Sequence, residues 1–164
     1  MKKLNKKGFT LIELLAVIVI LGILMLIAIP AVTKYINSSK FNAFRTNAGS
    51  IIDVVRNDVA LSGQTSCVAY INEANIKLEK GSISGLSGYV RVDTQAAEGS
   101  KYMITIYDSE NKYYFNNQSE KAISDFEESS PKEDPITEAI DYTLEEGEDW
   151  CKGFERPATT DPTD

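Results

Sequence analysis

Two hydrophobic rhythms follow each other along the first sixty residues. From Phe9 to Ile29 apolar residues run almost without a break, and Glu13 is the one charge among them. About 20 such residues are what a helix needs to cross the hydrocarbon core of a bilayer. After Pro30 the rhythm turns amphipathic. Phe41, Phe44, Ala48, Ile51, Val55 and Val59 recur at spacings of three and four, and Ile52 widens the stripe, while Lys40, Arg45, Asp53, Arg56 and Asn57 fall on other faces. This spacing predicts a helix with one buried side. Gly63, just after Ser62, is placed to cap it. A single helix from Thr10 to Leu61 would be about 75–80 Å long at about 1.5 Å per residue. Gly22 and Pro30 interrupt it: Pro30 has no amide hydrogen for the Leu26 carbonyl, so a kink between the two positions is easier than elsewhere.

Beyond the glycine the pattern shortens. Tyr89-Val90-Arg91-Val92 and Tyr102-Met103-Ile104-Thr105-Ile106-Tyr107 read as strands by their β-branched and aromatic content. Asp108-Ser109-Glu110-Asn111 has turn chemistry, and Lys112-Tyr113-Tyr114-Phe115 follows it, so the last two runs predict a hairpin. Residues 69–78 and 136–144 are ambiguous and read as short helices, and the charged, Pro-containing stretch 120–135 reads as a loop. A sheet of about three or four antiparallel strands laid over the helical stripe gives an α+β fold.

Composition narrows the functions open to such a chain. Its 164 residues leave room for a membrane helix and one modest domain. There is no histidine, which removes His-based triads and the commonest metal ligand. No Gly-rich phosphate loop or paired-histidine metalloprotease motif occurs. An enzyme is not expected, and neither a cofactor nor a metal is. The formal charge of −7 disfavours nucleic acid as a direct electrostatic partner. Lys2, Lys3, Lys6 and Lys7 precede the apolar run, and hold that end in the cytoplasm by the positive-inside rule, with the rest of the chain outside.

Glu13 does not belong in an ordinary anchor, because a charge at the centre of a membrane helix costs roughly 2.5–3.5 kcal/mol on insertion scales. Lys6-Lys7-Gly8-Phe9-Thr10-Leu11-Ile12-Glu13 resembles the class III signal of type IV pilins and their pseudopilin relatives. The lysine-rich leader leans the reading toward a Gram-positive source. The resemblance implies that a prepilin peptidase cuts between Gly8 and Phe9 and methylates the Phe9 amine. It also implies that Glu13 pairs with the Phe9 amine of a neighbouring subunit and so sets the register of assembly; a carboxylate that neutralises itself or snorkels is the plainer alternative. A buried carboxylate and a buried amine are each costly alone and relieve each other when paired. In this family the weakened helix around Gly22 and Pro30 would help the helix leave the bilayer and pack into a filament.

The expected organisation is a cleaved leader (1–8), a transmembrane and assembly helix (9–29), an amphipathic half (30–62), a globular head (63–154) and a flexible tail (155–164). With the head outside the cytoplasm, Cys67 and Cys151 read as one disulfide; two unpaired buried thiols are the alternative. The implied partners are other pilin copies in a homopolymer, the prepilin peptidase and methyltransferase, a membrane assembly platform, an assembly ATPase and, before assembly, the cytoplasmic membrane. The acidic stretches 125–128 and 145–149 could hold calcium, as in some pseudopilins, though neither has EF-hand spacing. Tyr102, Tyr107, Tyr113 and Tyr114 could form an adhesive or subunit-contact surface. The function expected is that of a structural subunit of a surface type IV pilus serving adhesion, motility or biofilm. The alternatives are a pseudopilin of a competence or type II-like secretion apparatus, and a single-span anchored binding protein.

Overall fold

A computed structural model describes residues 9–79, 81–126, 140 and 142–157. The chain divides into two compact units, Met1–Ser39 and Lys40–Asp164, and one long helix, α1 (Leu11–Ser62), contributes to both. In the first unit every described residue but Ser38 is exposed. This helix is long and apolar enough to cross a membrane, and it runs through Gly22 and Pro30 as a single element.

In the second unit the amphipathic stripe does what its spacing predicts. Phe41, Phe44, Ala48, Ile51, Ile52, Val55 and Val59 are all buried. The helix stops where a left-handed residue is available: Gly63 has φ +72°, and its amide donates to the Val59 carbonyl at 3.0 Å. Without a Cβ, glycine takes that conformation at little cost.

Four strands follow, β1 (Ser66–Ile71), β2 (Leu86–Asp93), β3 (Tyr102–Asp108) and β4 (Tyr114–Ser119). They form one sheet in the order β1-β2-β3-β4, and every neighbouring pair is antiparallel. On β2, Leu86, Gly88, Val90 and Val92 are buried and alternate with half-buried Ser87, Tyr89 and Arg91, the period of a strand with one covered face. Cys67, Ala69, Ile71, Ile104, Ile106 and Phe115 complete a single core with the α1 stripe. Phe44 stacks on Phe115 at 4.9 Å, and Phe41 meets Tyr113 edge-on at 5.4 Å. This long helix with a small antiparallel sheet is the α+β arrangement expected of the type IV pilin fold.

The structure alters four local expectations. Residues 69–78 do not form a helix: 69–71 end β1, and the Asn72 side chain then accepts from the Ala74 and Asn75 amides at 2.8 and 3.0 Å, closing a turn instead. Within 120–135, Glu120–Asp125 is a short helix, α2, whose first turn is capped by the Ser119 hydroxyl; 127–135 lies outside the described residues. The hairpin forms, but β4 begins at Tyr114, because Asp108 accepts from the Glu110 and Asn111 amides and Lys112 turns the chain at φ +61°. Of 136–144, residues 140 and 142–144 are described, and they are irregular.

Candidate functional site

The N-terminus of α1 is where a charged group meets the apolar half of the helix. The first amides of a helix have no partner within it. Here the Glu13 carboxylate turns back to them. Its Oε2 accepts from the Thr10 amide at 2.8 Å and from the Thr10 hydroxyl at 2.8 Å, and the Thr10 Oγ1 accepts from the Glu13 amide at 3.4 Å. Thr10-Leu11-Ile12-Glu13 is thus a reciprocal capping box, T-x-x-E. The negative charge also lies at the positive end of the helix dipole. Glu13 thus serves its own helix. The signal stood in the sequence, as a threonine three residues before a glutamate at the head of an apolar run.

Phe9, next to the cap, is 87% exposed; Gly8 and the leader lysines lie outside the described residues. Further along, the missing Pro30 amide leaves the Leu26 carbonyl without its intrahelical donor. Thr33 donates its hydroxyl to the Ile29 carbonyl at 2.9 Å within the same turn.

The head has its own fastening. The Cys67 and Cys151 sulfurs stand 2.10 Å apart, at disulfide distance, linking positions 84 residues apart. Both cysteines are buried. Beside them Arg91 projects from β2 and pairs with Glu148 at 3.1 Å, while its other arm reaches the Tyr142 hydroxyl at 2.8 Å. The Tyr142 hydroxyl in turn donates to Glu148. Tyr142 lies tilted against Tyr89 at 4.1 Å and edge-on to Trp150 at 6.4 Å. Burial alone would push the Glu148 carboxyl up, but the Tyr142 hydroxyl, the Glu145 amide and the Arg91 charge outweigh it and hold the carboxyl below its usual range. Burial and the hydrogen bond to Glu148 push the Tyr142 phenol up.

The remaining candidates separate. In 145–149 the Glu148 carboxylate is spent on Arg91 and Tyr142, while Glu145, Glu146 and Asp149 are exposed. Among the described residues no three acidic, histidine or cysteine side chains come together to hold a metal. The tyrosines do not form one surface either. Tyr107 is buried, Tyr113 packs on Phe41 and Phe44, and Arg56 lies over the Tyr102 ring at 5.1 Å.

Comparison with known proteins bears on the first of these sites. The model of the prokaryotic N-terminal methylation motif matches residues 3–29. The chain is 59% identical over 32 residues to the ComG operon protein 3 homolog of Bacillus licheniformis, a match covering 20% of this chain and 33% of that protein. The chain therefore spans about a third of the length of the curated relative it matches. No solved structure matches it. The likeness lies in the apolar helix and its cap, where Phe9, Thr10 and Glu13 stand.

Proposed function

We propose that this chain is a filament-forming subunit of the type IV pilin kind, made as a membrane-held precursor and polymerised through α1. One observation carries the reading: a methylation motif, an exposed apolar helix and a lone carboxylate at the helix start coincide in one segment. Assembly, with no bond chemistry of its own, is the activity.

In this reading a prepilin peptidase cuts between Gly8 and Phe9 and methylates the new amine. The Thr10 amide and hydroxyl occupy Oε2 of Glu13, which leaves Oε1 to accept from the Phe9 amine of a neighbouring copy. Pairing two charges that are each expensive in hydrocarbon sets the stagger between subunits. The other partners are the assembly platform and its ATPase. The precursor sits in the cytoplasmic membrane with its head outside, and the polymer ends on the cell surface. Gly22 and Pro30 mark where α1 bends most easily as it leaves the bilayer.

A pseudopilin of a competence or secretion apparatus rests on the same N-terminal features and differs in the length of its polymer. Intact-mass analysis of chain sheared from its native host, with electron microscopy of the same fraction, distinguishes the readings. A mass starting at methylated Phe9 in long filaments is the expected result. A processed chain found only in membranes indicates the pseudopilin. An unprocessed chain, together with a Glu13→Ala variant of unchanged function, would leave an anchored binding protein and refute assembly.

A further inference from the structure

The outer edge of β1 is occupied by the chain's own residues 149–154. The Val68 amide donates to the Asp149 carbonyl and the Val68 carbonyl accepts from the Cys151 amide, both at 2.9 Å; the Tyr70 amide donates to the Phe154 carbonyl at 2.9 Å. The pairing is parallel, bridging Val68 and Trp150. Gln64 fastens the same strap by accepting from the Lys152 amide at 2.7 Å and donating to the Trp150 carbonyl at 3.2 Å. Phe154 is buried in the core.

We infer that the Cys67–Cys151 bond is the latch of this strap. While oxidised it holds 149–154 along the edge of β1; once reduced, the strap leaves and opens the β1 edge, while α1 and the four-stranded sheet stay folded. The inference does not depend on the assembly reading.

Three features favour local rather than global opening. The sheet is a complete meander without the strap, since each strand pairs with its neighbours in sequence. The Arg91–Glu148 pair, with Tyr142, fastens the chain up to residue 148, so release stops there and the strap remains tethered beside its edge. Two glycines with positive φ, Gly147 at +89° and Gly153 at +88°, flank or interrupt the strap and raise the entropy lost when it is ordered. Against that loss stand one edge of backbone hydrogen bonds, Gln64, Phe154 and the covalent bond. Opening takes two electrons and two protons from a dithiol: Cys67 and Cys151 become thiols and the dithiol becomes its own disulfide, and closing is the reverse exchange with a disulfide donor. The opened edge presents the Val68 and Tyr70 amides and the Val68 carbonyl without their strap partners.

Residue-level hydrogen exchange tests this on the full chain in detergent micelles. The oxidised chain is compared with chain treated with dithiothreitol and with a Cys67→Ser, Cys151→Ser double variant. The variant is needed because the bond is buried and a reductant reaches it slowly. The expected result is faster exchange at Val68, Tyr70 and Cys151, on the order of a hundredfold or more given the loop constraint removed, with Val90 and Ile104 unchanged. Trp150 fluorescence should shift in parallel. Loss of protection throughout β2 and β3 would make the bond a global brace and overturn the latch. Unchanged exchange at Val68 and Tyr70 would overturn it from the other side, showing a strap that stays without its bond.

Discussion

Replacing Phe44 by alanine tests whether the amphipathic half of α1 is the keel of the head. Phe44 is 2% exposed, stacks on Phe115 at 4.9 Å and lies 5.7 Å from the Tyr113 ring. Truncating a core phenylalanine costs about 3–5 kcal/mol. Each aromatic pair lost is worth about 0.5–1.5 kcal/mol beyond its area, which places this site in the upper half of that range, at about 4–5 kcal/mol. A domain of this size has about 5–15 kcal/mol in all, so the variant should stand near the threshold of unfolding. With a urea slope of about 1–3 kcal/mol per molar, the midpoint should fall by roughly 1.5 M or more. Phe44→Leu keeps most of the buried volume and should lose about 1–2 kcal/mol. Leu61→Ala, at a position 86% exposed on the same helix, should stay within about 0.5 kcal/mol. Urea unfolding of the oxidised chain in micelles, followed by Trp150 fluorescence, reads all three. A loss below about 1 kcal/mol for Phe44→Ala would refute the reasoning, because the helix stripe would then not be what the sheet folds against.

Thr10→Ala should fray the start of α1 by about 0.5–2 kcal/mol, seen as faster amide exchange at Glu13 and Leu14, whereas Thr10→Ser should restore protection. Glu148 has a folded pKa below its ordinary value, so its contribution is present above the unfolded carboxylate range and is lost as pH falls through the folded value. Fluorescence of Trp150 should therefore report loosening below about pH 4.5, the ordinary value, and Glu148→Gln should abolish that transition. A Cβ on Gly88 would strike the Thr105 carbonyl and come within 2.9 Å of the Ile106 Cα, so Gly88→Ala should part β2 from β3. Gly22→Ala, with nothing within 4 Å of the new methyl, should leave thermal unfolding of the head unchanged, and a melt of both variants compares them.

The elements that one-face burial dictates were legible in the sequence. The seven apolar positions of α1 advertise a helix because their other neighbours are polar, and β2 and β3 carry β-branched and aromatic residues in the right period. β1 was not legible. Ser66-Cys67-Val68-Ala69-Tyr70-Ile71 shows little alternation because Val68, on the side away from the helix, is buried as fully as Ala69, and the strap responsible lies some eighty residues away in sequence. α2 was hidden for a related reason. Its six residues carry too short a pattern, and it is held to the head by Ile123, buried in the core, by Arg45, which donates to the Ser124 carbonyl, and by Arg56, which pairs with Glu120. Such long-range partners leave no local trace. At the N-terminus the apolar run and its carboxylate were plain, but the T-x-x-E cap inside them is a shorter pattern that the run obscures.

The strictly sequential order of the sheet has a kinetic consequence. Helix to β1, β2 to β3 and β3 to β4 are joined by shorter connections and β1 to β2 by the longer stretch 72–85, so each strand pairs with its neighbour in sequence. Strand pairing that is local in sequence favours rapid folding. The pairing of Val68 with Trp150 is the exception, since it waits for a stretch near the end of the chain. A chain emerging from its N-terminus can therefore pair its four strands before residues 149–154 follow, and closure of that strap should come last in refolding.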